Sequence, residues 1–141
     1  WKTVFLLASL IPLGQAMERT GTAAWIAQEA LAILGNMPDL AIQIMLAMLA
    51  TVFTLVMSNV GATTILVPIA ISIALATGAN PVMYALIIAL STSNAFILPT
   101  HQVNALIMGP GGYSVSDFVR AGTGMTVVFL VVMLTMVNLV F

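Results

Sequence analysis

The stretch TLVMSNVGATTILVP, residues 54–68, places a polar, glycine-containing group inside a long apolar run. The polar group covers residues 58–64, and apolar residues continue on both sides of it. An interruption of this kind breaks a helix in surroundings where unpaired backbone groups are costly. The position of the break therefore decides which fold the chain can adopt.

The composition excludes a soluble domain. Of the 141 residues, 62% are hydrophobic and 5% are charged, which leaves too few polar side chains to cover a water-exposed surface. No Asp, Glu, Lys or Arg occurs between Leu40 and Ser116, and none occurs after Arg120. Both stretches exceed the roughly 18–20 apolar residues of a membrane-spanning helix. The sequence predicts an integral, multi-pass membrane protein.

Several kinds of chemistry are not expected. The chain has no cysteine, so thiolate metal sites and disulfides are excluded. Its net charge of −1 gives no reason to expect nucleic acid as a partner. The uncharged region holds one His and no HExxH, GxSxG or P-loop motif, so we expect no enzyme.

The ends and the orientation of the chain carry little information. The first apolar run lacks a small-residue cleavage site, so no signal peptide is expected. Since the chain begins at Trp1 without a Met, we expect the numbering to start inside a longer polypeptide. Lys2, Arg19 and Arg120 are too few to set an orientation by the distribution of basic residues.

Residues 3–35 are predicted to form two helical segments within a single membrane domain, residues 1–141. The first segment ends at Met17 and is interrupted by Pro12 and Gly14, so it is either the end of a helix begun upstream or a kinked helix. The second, up to residue 34, is short and amphipathic.

Residues 40–77 are predicted to form a re-entrant hairpin with its tip at residues 58–61. One straight helix over 40–77 would be about 57 Å long, whereas the hydrocarbon layer is about 30 Å thick. Arms at 40–57 and 62–77, about 27 and 24 Å long, avoid this mismatch. Asp39 is expected to cap the first arm. Because non-helical backbone at membrane depth must be packed in protein or line a cavity, the tip is expected to face a cavity.

Residues 82–108 are predicted to form one transmembrane helix that is broken at mid-membrane depth. The apolar course is interrupted by the polar residues 91–94 and stopped by Pro99. It resumes over residues 105–108, after the polar loop at 100–104.

The last segment, residues 117–141, is predicted to be a terminal transmembrane helix about 37 Å long. A surface loop is expected at residues 109–113. Ser114 or Ser116 can cap the helix, and Asp117 suits its first turn.

A hairpin and a broken helix that both carry polar residues in apolar surroundings are typical of the midplane site of a secondary transporter. The N-terminus of a half-helix offers N–H groups to an anion, and its C-terminus offers carbonyls to a cation. A site of this type needs no charged residue, and it can release what it binds.

Two motifs carry a resemblance to a known family: SNVGATTILVP at residues 58–68 and SNAFILPTHQVNALIMGPGGYSVSDFVRAG at residues 93–122. They resemble the divalent anion:sodium symporter (DASS) family, most closely its sulfate and dicarboxylate permeases. That family has two inverted repeats, each with a hairpin and a broken helix, and this chain is similar to the C-terminal repeat only. The resemblance implies that a missing N-terminal repeat, or a second copy acting in its place, completes the transporter, and it also implies a homodimer.

The resemblance also implies which residues form the site. Those implied to contact the anion are Ser58, Asn59, Val60, Thr100, His101, Gln102 and Asn104. Those implied to hold Na⁺, the coupling ion, are Thr54, the carbonyl of Met57, Asn59 and backbone near His101. Oxygen ligands suit Na⁺ because it is a hard cation.

Two departures from the family pattern leave the identity of the anion open. Val60 stands where the family motif has Thr, which removes a hydroxyl from the implied anion site. The loop at 100–104 is also shorter than, and different from, the proline-rich loop of the dicarboxylate members. Sulfate, a dicarboxylate and another oxyanion all remain candidates.

The residues at 91–94 allow two interpretations. The first is that their side chains bond back to the preceding helical turn, as is common in membrane helices. The second is that Ser93 or Asn94 contributes to a cation site.

The leading hypothesis is a secondary active transporter for a divalent anion, coupled to Na⁺ and working by alternating access, of which this chain is one half. Its partners would be a small anionic solute and the lipid bilayer, and its expected location is the cytoplasmic membrane of a prokaryote. One alternative is an ion exchanger of the wider superfamily, of the Na⁺/H⁺ or arsenite type, although proton coupling usually requires an acidic residue at membrane depth. Another is a non-transporting membrane scaffold subunit whose hairpin is only packed.

Overall fold

This computed structural model describes residues 1–34, 37–98 and 102–141. These residues form seven helices and no strand. The helices are α1 (Lys2–Arg19), α2 (Thr22–Leu34), α3 (Asp39–Val56), α4 (Asn59–Thr77), α5 (Pro81–Ser91), α6 (Gln102–Gly111) and α7 (Val115–Val140).

Three of these helices, α3, α4 and α7, are long and apolar enough to cross a membrane. α3 and α4 have 18 and 19 residues, which corresponds to about 27–29 Å of helix. α7 has 26 residues, about 39 Å, and exceeds the hydrocarbon thickness of about 30 Å. The predicted all-helical, multi-pass membrane class is confirmed.

α1 continues through Pro12 as far as Arg19, although the sequence predicted an interruption and an end at Met17. A proline in a helix removes one backbone donor, and α1 remains helical on both sides of it. Gly14 is buried against α4, where an added Cβ would lie 3.2 Å from the Thr64 carbonyl oxygen. The absence of a side chain at Gly14 thus allows α1 and α4 to pack closely at this point.

The structure corrects the role of Asp39. The N-cap of α3 is Pro38, and Asp39 is the first residue of the helix, with its side chain directed to other partners. Its carboxylate accepts a hydrogen bond from Gln43 Nε2 at 2.6 Å and another from the Tyr84 hydroxyl. The carboxylate therefore joins α3 to α5.

The break between α3 and α4 is shorter than predicted. Only Met57 and Ser58 lie outside the two helices, whereas the sequence placed the tip at residues 58–61. α4 begins at Asn59 because Ser58 caps it, its Oγ accepting from the Gly61 N–H at 3.2 Å. That this helix pair re-enters the membrane from one side stays a prediction.

α5 ends at Ser91, as the polar tetrapeptide indicated, and residues 92–98 are not helical. α6 then begins at Gln102, which corrects the expected unwound loop at residues 100–104: Gln102 and Asn104 belong to the helix. Thr100 and His101 lie outside the described residues.

α6 also extends over part of the predicted surface loop at residues 109–113. It ends at Gly111 because Gly112 adopts a left-handed conformation, with φ of 62°. The Tyr113 N–H then donates to the Met108 carbonyl at 3.2 Å, which satisfies the helix end in the manner of a Schellman motif.

Ser114, rather than Ser116, caps α7. Its side chain accepts from the Asp117 N–H at 3.3 Å, and the Asp117 carboxylate accepts from the Ser114 N–H at 2.8 Å. This reciprocal pair is a capping box. α7 therefore begins two residues before the predicted start at residue 117.

Two clusters of buried side chains hold the helices together. One joins α2, α3, α4 and α5, with Leu46, Ile73 and Tyr84 among its fully buried members. The other joins α3, α5 and α7 through residues such as Ile87 and Met133. α3 and α5 belong to both clusters, and α4 belongs to the first.

Candidate functional site

The ends of three helices meet at the break between α3 and α4. Thr54, in the last turn of α3, donates from its hydroxyl to the Thr92 carbonyl after the end of α5, at 3.0 Å. Thr63, one turn into α4, has its hydroxyl 2.7 Å from that of Thr92. The C-terminal ends of α3 and α5 therefore lie beside the N-terminal turn of α4.

The N-terminal turn of α4 is suited to an anion. The Ser58 side chain occupies the Gly61 N–H, while the N–H groups of Asn59 and Val60 have no acceptor within the helix. Ser58 and Val60 are exposed. The partial positive charge of a helix N-terminus is thus available at a surface.

The ends of α3 and α5 are suited to a cation. Helix C-termini carry partial negative charge on their last carbonyls. Met57 ends α3 in an extended conformation, with its N–H donated to the Phe53 carbonyl at 2.7 Å. Thr54 is buried and directs its proton to Thr92, so its hydroxyl oxygen keeps lone pairs for a cation.

Asn59 supplies an oxygen that nothing in the described part of the chain uses. Its Oδ1 is buried and has no hydrogen-bond partner there. Leaving a buried carbonyl oxygen unpaired costs about 1–3 kcal/mol, and an oxygen of this kind is a good ligand for a hard cation such as Na⁺. The side-chain oxygen of Asn59, unlike the N–H groups of the same turn, is therefore suited to a cation.

Among the described residues, no cluster of carboxylates or imidazoles accompanies these oxygens. Within the described ranges, no group of three or more His, Cys, Asp or Glu residues could hold a metal ion.

The non-helical residues 92–98 form the other side of the site. Asn104 of α6, half-buried, donates from Nδ2 to the Ala95 carbonyl at 3.0 Å. A cavity of about 150 Å³ is lined by Ser93, Ala95, Phe96 and Asn104. Two larger clefts are lined by apolar side chains: one of about 460 Å³ on α3, and one of about 370 Å³ between Leu90, Phe96 and α7. The small cavity is the one beside polar groups of the break.

The structure brings together most of the predicted site residues that it describes. Thr54, Met57, Ser58, Asn59 and Val60 lie within two turns of one another at the α3–α4 break. Asn104 lies instead against the break after α5.

Three predicted residues remain without a described side chain. Thr100 and His101 lie outside the described residues, and Gln102 is the first residue of α6, with a side chain that the structure does not describe. Their roles stay predictions.

Thr63 and Thr92 were not among the predicted site residues. Both occur in polar groups of the sequence, and Thr92 and Ser93 do bond back to the Ala89 carbonyl, at 3.1 and 3.3 Å. The first interpretation of residues 91–94 therefore applies to these two hydroxyls. Thr92 also bonds across to α3 and α4, and those partners are far away in the sequence.

Known proteins resemble the whole chain. A family model described as "Sodium:sulfate symporter transmembrane region" matches residues 1–141. The chain is 34% identical, over its full length, to "Uncharacterized transporter sll0640" of Synechocystis, and 31% identical to "Uncharacterized transporter YfbS" of Escherichia coli. It is 34% identical, over 98% of its length, to human "Solute carrier family 13 member 2". The chain spans 23% of the length of each of these relatives.

Proposed function

The chain belongs to the sodium:sulfate symporter family, and we propose that it supplies one part of the site at which a secondary transporter binds a divalent anion together with Na⁺. Membership of this family makes it part of an integral membrane transporter and not an enzyme. The proposed solute is sulfate or a dicarboxylate.

The observation that carries the proposal is the meeting of opposite helix ends. The anion would bind at the start of α4, at the N–H groups of Asn59 and Val60 and the hydroxyl of Ser58. Na⁺ would be bound by oxygens of Thr54, Met57 and Asn59. Thr100, His101, Gln102 and Asn104 are proposed as further contacts to the anion.

The lack of charged side chains explains why the two ions would move together. Between Leu40 and Ser116 the chain has no Asp, Glu, Lys or Arg to balance either ion. Two unit charges 4 Å apart attract by about 4 kcal/mol at an effective dielectric constant of about 20. Each ion would therefore raise the affinity for the other by orders of magnitude, which is the requirement for coupled transport.

The remaining parts of the transporter would complete the site. We propose that an N-terminal repeat supplies a second hairpin and broken helix, and that the transporter is a homodimer working by alternating access. The bacterial relatives favour the cytoplasmic membrane of a prokaryote.

The test is uptake of radiolabelled sulfate and of radiolabelled succinate by the complete transporter in proteoliposomes, with and without an inward Na⁺ gradient. We expect uptake of one of the two anions, and we expect it to disappear when K⁺ replaces Na⁺. Uptake of neither anion by correctly inserted protein would contradict the proposal and favour an exchanger or a scaffold.

A second experiment separates a transporter from a scaffold with a packed hairpin. Val60→Cys and Ala70→Cys place one thiol each on α4, in a chain without cysteine. Val60 is 38% exposed and Ala70 is fully buried, so a water-soluble thiol reagent should label only the first. Any native cysteines elsewhere in the transporter are replaced beforehand. Protection of Val60→Cys in the absence of solute would favour the scaffold.

A further inference from the structure

The side chain of Asn94 links two helices across the end of α5. It is fully buried. Its Oδ1 accepts from the Thr126 hydroxyl of α7 at 3.1 Å, and its Nδ2 makes a long hydrogen bond of 3.5 Å to the Thr51 hydroxyl of α3. Thr51 donates its own proton to the Ala47 carbonyl, so its oxygen is free to accept. The side-chain amide therefore makes a hydrogen bond through both its nitrogen and its oxygen.

α7 approaches this part of the chain unusually closely. A Cβ on Gly122, one helical turn before Thr126, would collide with the Phe96 carbonyl oxygen. The ring of Phe96 also packs edge-on against Phe129, with centroids 6.0 Å apart. One face of α7 thus contacts the non-helical segment at its backbone, at Asn94 and at an aromatic ring.

Asn94 is connected to the candidate site through a short, hydrogen-bonded turn. The Asn94 N–H donates to the Ser91 carbonyl at 3.1 Å, and the Ser93 N–H donates to the Leu90 carbonyl at 3.1 Å. Thr92, inside this turn, carries the carbonyl that accepts from Thr54. A displacement of Asn94 therefore moves the Thr92 carbonyl and, with it, the hydroxyl of Thr54.

We propose that Asn94 is a positioning residue for the cation side of the candidate site, acting through Thr92 and Thr54, and that Thr126 of α7 holds it in place. The proposal rests on the proposed function and deepens it. An amide suits this role because a buried side chain with one donor end and one acceptor end orders the two helices beside it at once.

The test compares two threonine changes on α7 in the complete transporter. Thr126→Val removes the hydroxyl that bonds Asn94 with almost no change of shape. Thr123→Val makes the same change at an exposed residue whose hydroxyl bonds only within its own helix, to the Val119 carbonyl. Uptake is measured in proteoliposomes over a range of Na⁺ concentrations, and thermal stability is measured in detergent.

We expect Thr126→Val to raise the half-saturating Na⁺ concentration about tenfold, the effect of losing one buried hydrogen bond, with a smaller change in the maximal rate. Thr123→Val should leave both values unchanged, and Thr126→Ser, which keeps the hydroxyl, should restore the wild-type Na⁺ dependence. Asn94→Ala combined with Thr126→Val should raise the half-saturating concentration no further than Asn94→Ala alone.

Three results would count against these ideas in different ways. A Na⁺-dependent wild type with an unchanged half-saturating concentration in Thr126→Val overturns the positioning role alone. A loss of thermal stability and maximal rate with unchanged Na⁺ dependence assigns Asn94 a purely structural role. A wild type whose uptake does not depend on Na⁺ overturns the proposed function, and the positioning role with it.

Discussion

The backbone and side-chain oxygens of Asn59 differ in their hydrogen bonding. Its backbone carbonyl accepts from the Thr63 hydroxyl at 2.8 Å, within α4. Its side-chain oxygen is buried and unpaired in the described part of the chain. The first oxygen is an ordinary feature of a helix, and the second has a cost that binding of a cation would remove.

We expect Asn59→Ala to raise the half-saturating Na⁺ concentration about 10- to 100-fold, because the contact between the side-chain oxygen and Na⁺ is lost, or to abolish Na⁺-dependent uptake. Thermal stability in Na⁺-free buffer should not fall, because the variant no longer buries an unpaired oxygen. Both are measured on the complete transporter, in proteoliposomes and in detergent. Normal Na⁺ dependence at normal expression would remove Asn59 from the site.

Two substitutions of Thr54, to Val and to Ser, test the role of its hydroxyl group. Thr54→Val leaves the Thr92 carbonyl without its donor, and we expect a loss of about 1–3 kcal/mol in stability together with weaker Na⁺ binding. Thr54→Ser keeps the hydroxyl and should retain Na⁺ binding. Na⁺-dependent shifts of the melting temperature in detergent measure both effects. Equal Na⁺ affinity in the two variants would show that the hydroxyl is not a ligand.

The sequence was informative about single residues where a polar group interrupts an apolar run. Ser58 and Asn59 were recognised for this reason, and they do lie at a helix junction. The partners of Thr92 and Asn94 were not predictable, because Thr54 and Thr126 are 38 and 32 residues away from them. Such pairs depend on which faces of two helices meet, and a single sequence does not contain this information.

At the scale of the helices, Gly122 and Gly124 of α7 differ in the space that surrounds them. An added Cβ at Gly122 would collide with the Phe96 carbonyl, whereas a Cβ at Gly124 meets nothing within 4 Å. We expect Gly122→Ala to separate α7 from the non-helical segment and to lower the melting temperature by several degrees. Gly124→Ala should be neutral or slightly stabilising, by up to about 1 kcal/mol, since alanine favours a helix.

Thermal unfolding of the two variants in detergent, with sulfate or succinate uptake beside it, measures the difference. A wild-type melting temperature in Gly122→Ala would mean that α7 does not approach the segment as closely as the structure has it.

The existence of the helices followed from the sequence more reliably than their ends. The apolar lengths predicted α3, α4, α5 and α7, and their interruptions predicted the two breaks. The ends were displaced by local hydrogen bonds that apolar patterns do not contain. Ser58 starts α4 three residues early, and the left-handed Gly112 lets α6 continue to Gly111.

At the scale of the whole molecule, a second polar network joins the helices far from the candidate site. Asn138 of α7 donates to Gln43 Oε1 at 2.7 Å, Gln43 donates to Asp39, and Tyr84 of α5 also donates to Asp39. Gln43 and Tyr84 are fully buried. The network ties α3, α5 and α7 together at the opposite end of α3 from Thr54.

We expect Gln43→Ala to lower the free energy of unfolding by about 2–4 kcal/mol, since it removes two hydrogen bonds and leaves a cavity. Gln28→Ala, at an exposed position of α2, should have almost no effect. Thermal unfolding in detergent compares the two.

The half-saturating Na⁺ concentration of Gln43→Ala should stay at the wild-type value at temperatures where the protein is folded, because Gln43 lies about 16 Å along α3 from Thr54. A changed Na⁺ dependence would mean that the two ends of the helix bundle are coupled.

The backbone of the segment after α5 has a consequence for its motion. The N–H groups of residues 92–95 each donate to a carbonyl, although none of these residues is helical. In amide deuterium exchange, such a segment would retain its protons as long as the helices beside it, since exchange requires an opened hydrogen bond. The interruption that the sequence marks as a break would then be among the last of the described parts of the chain to open.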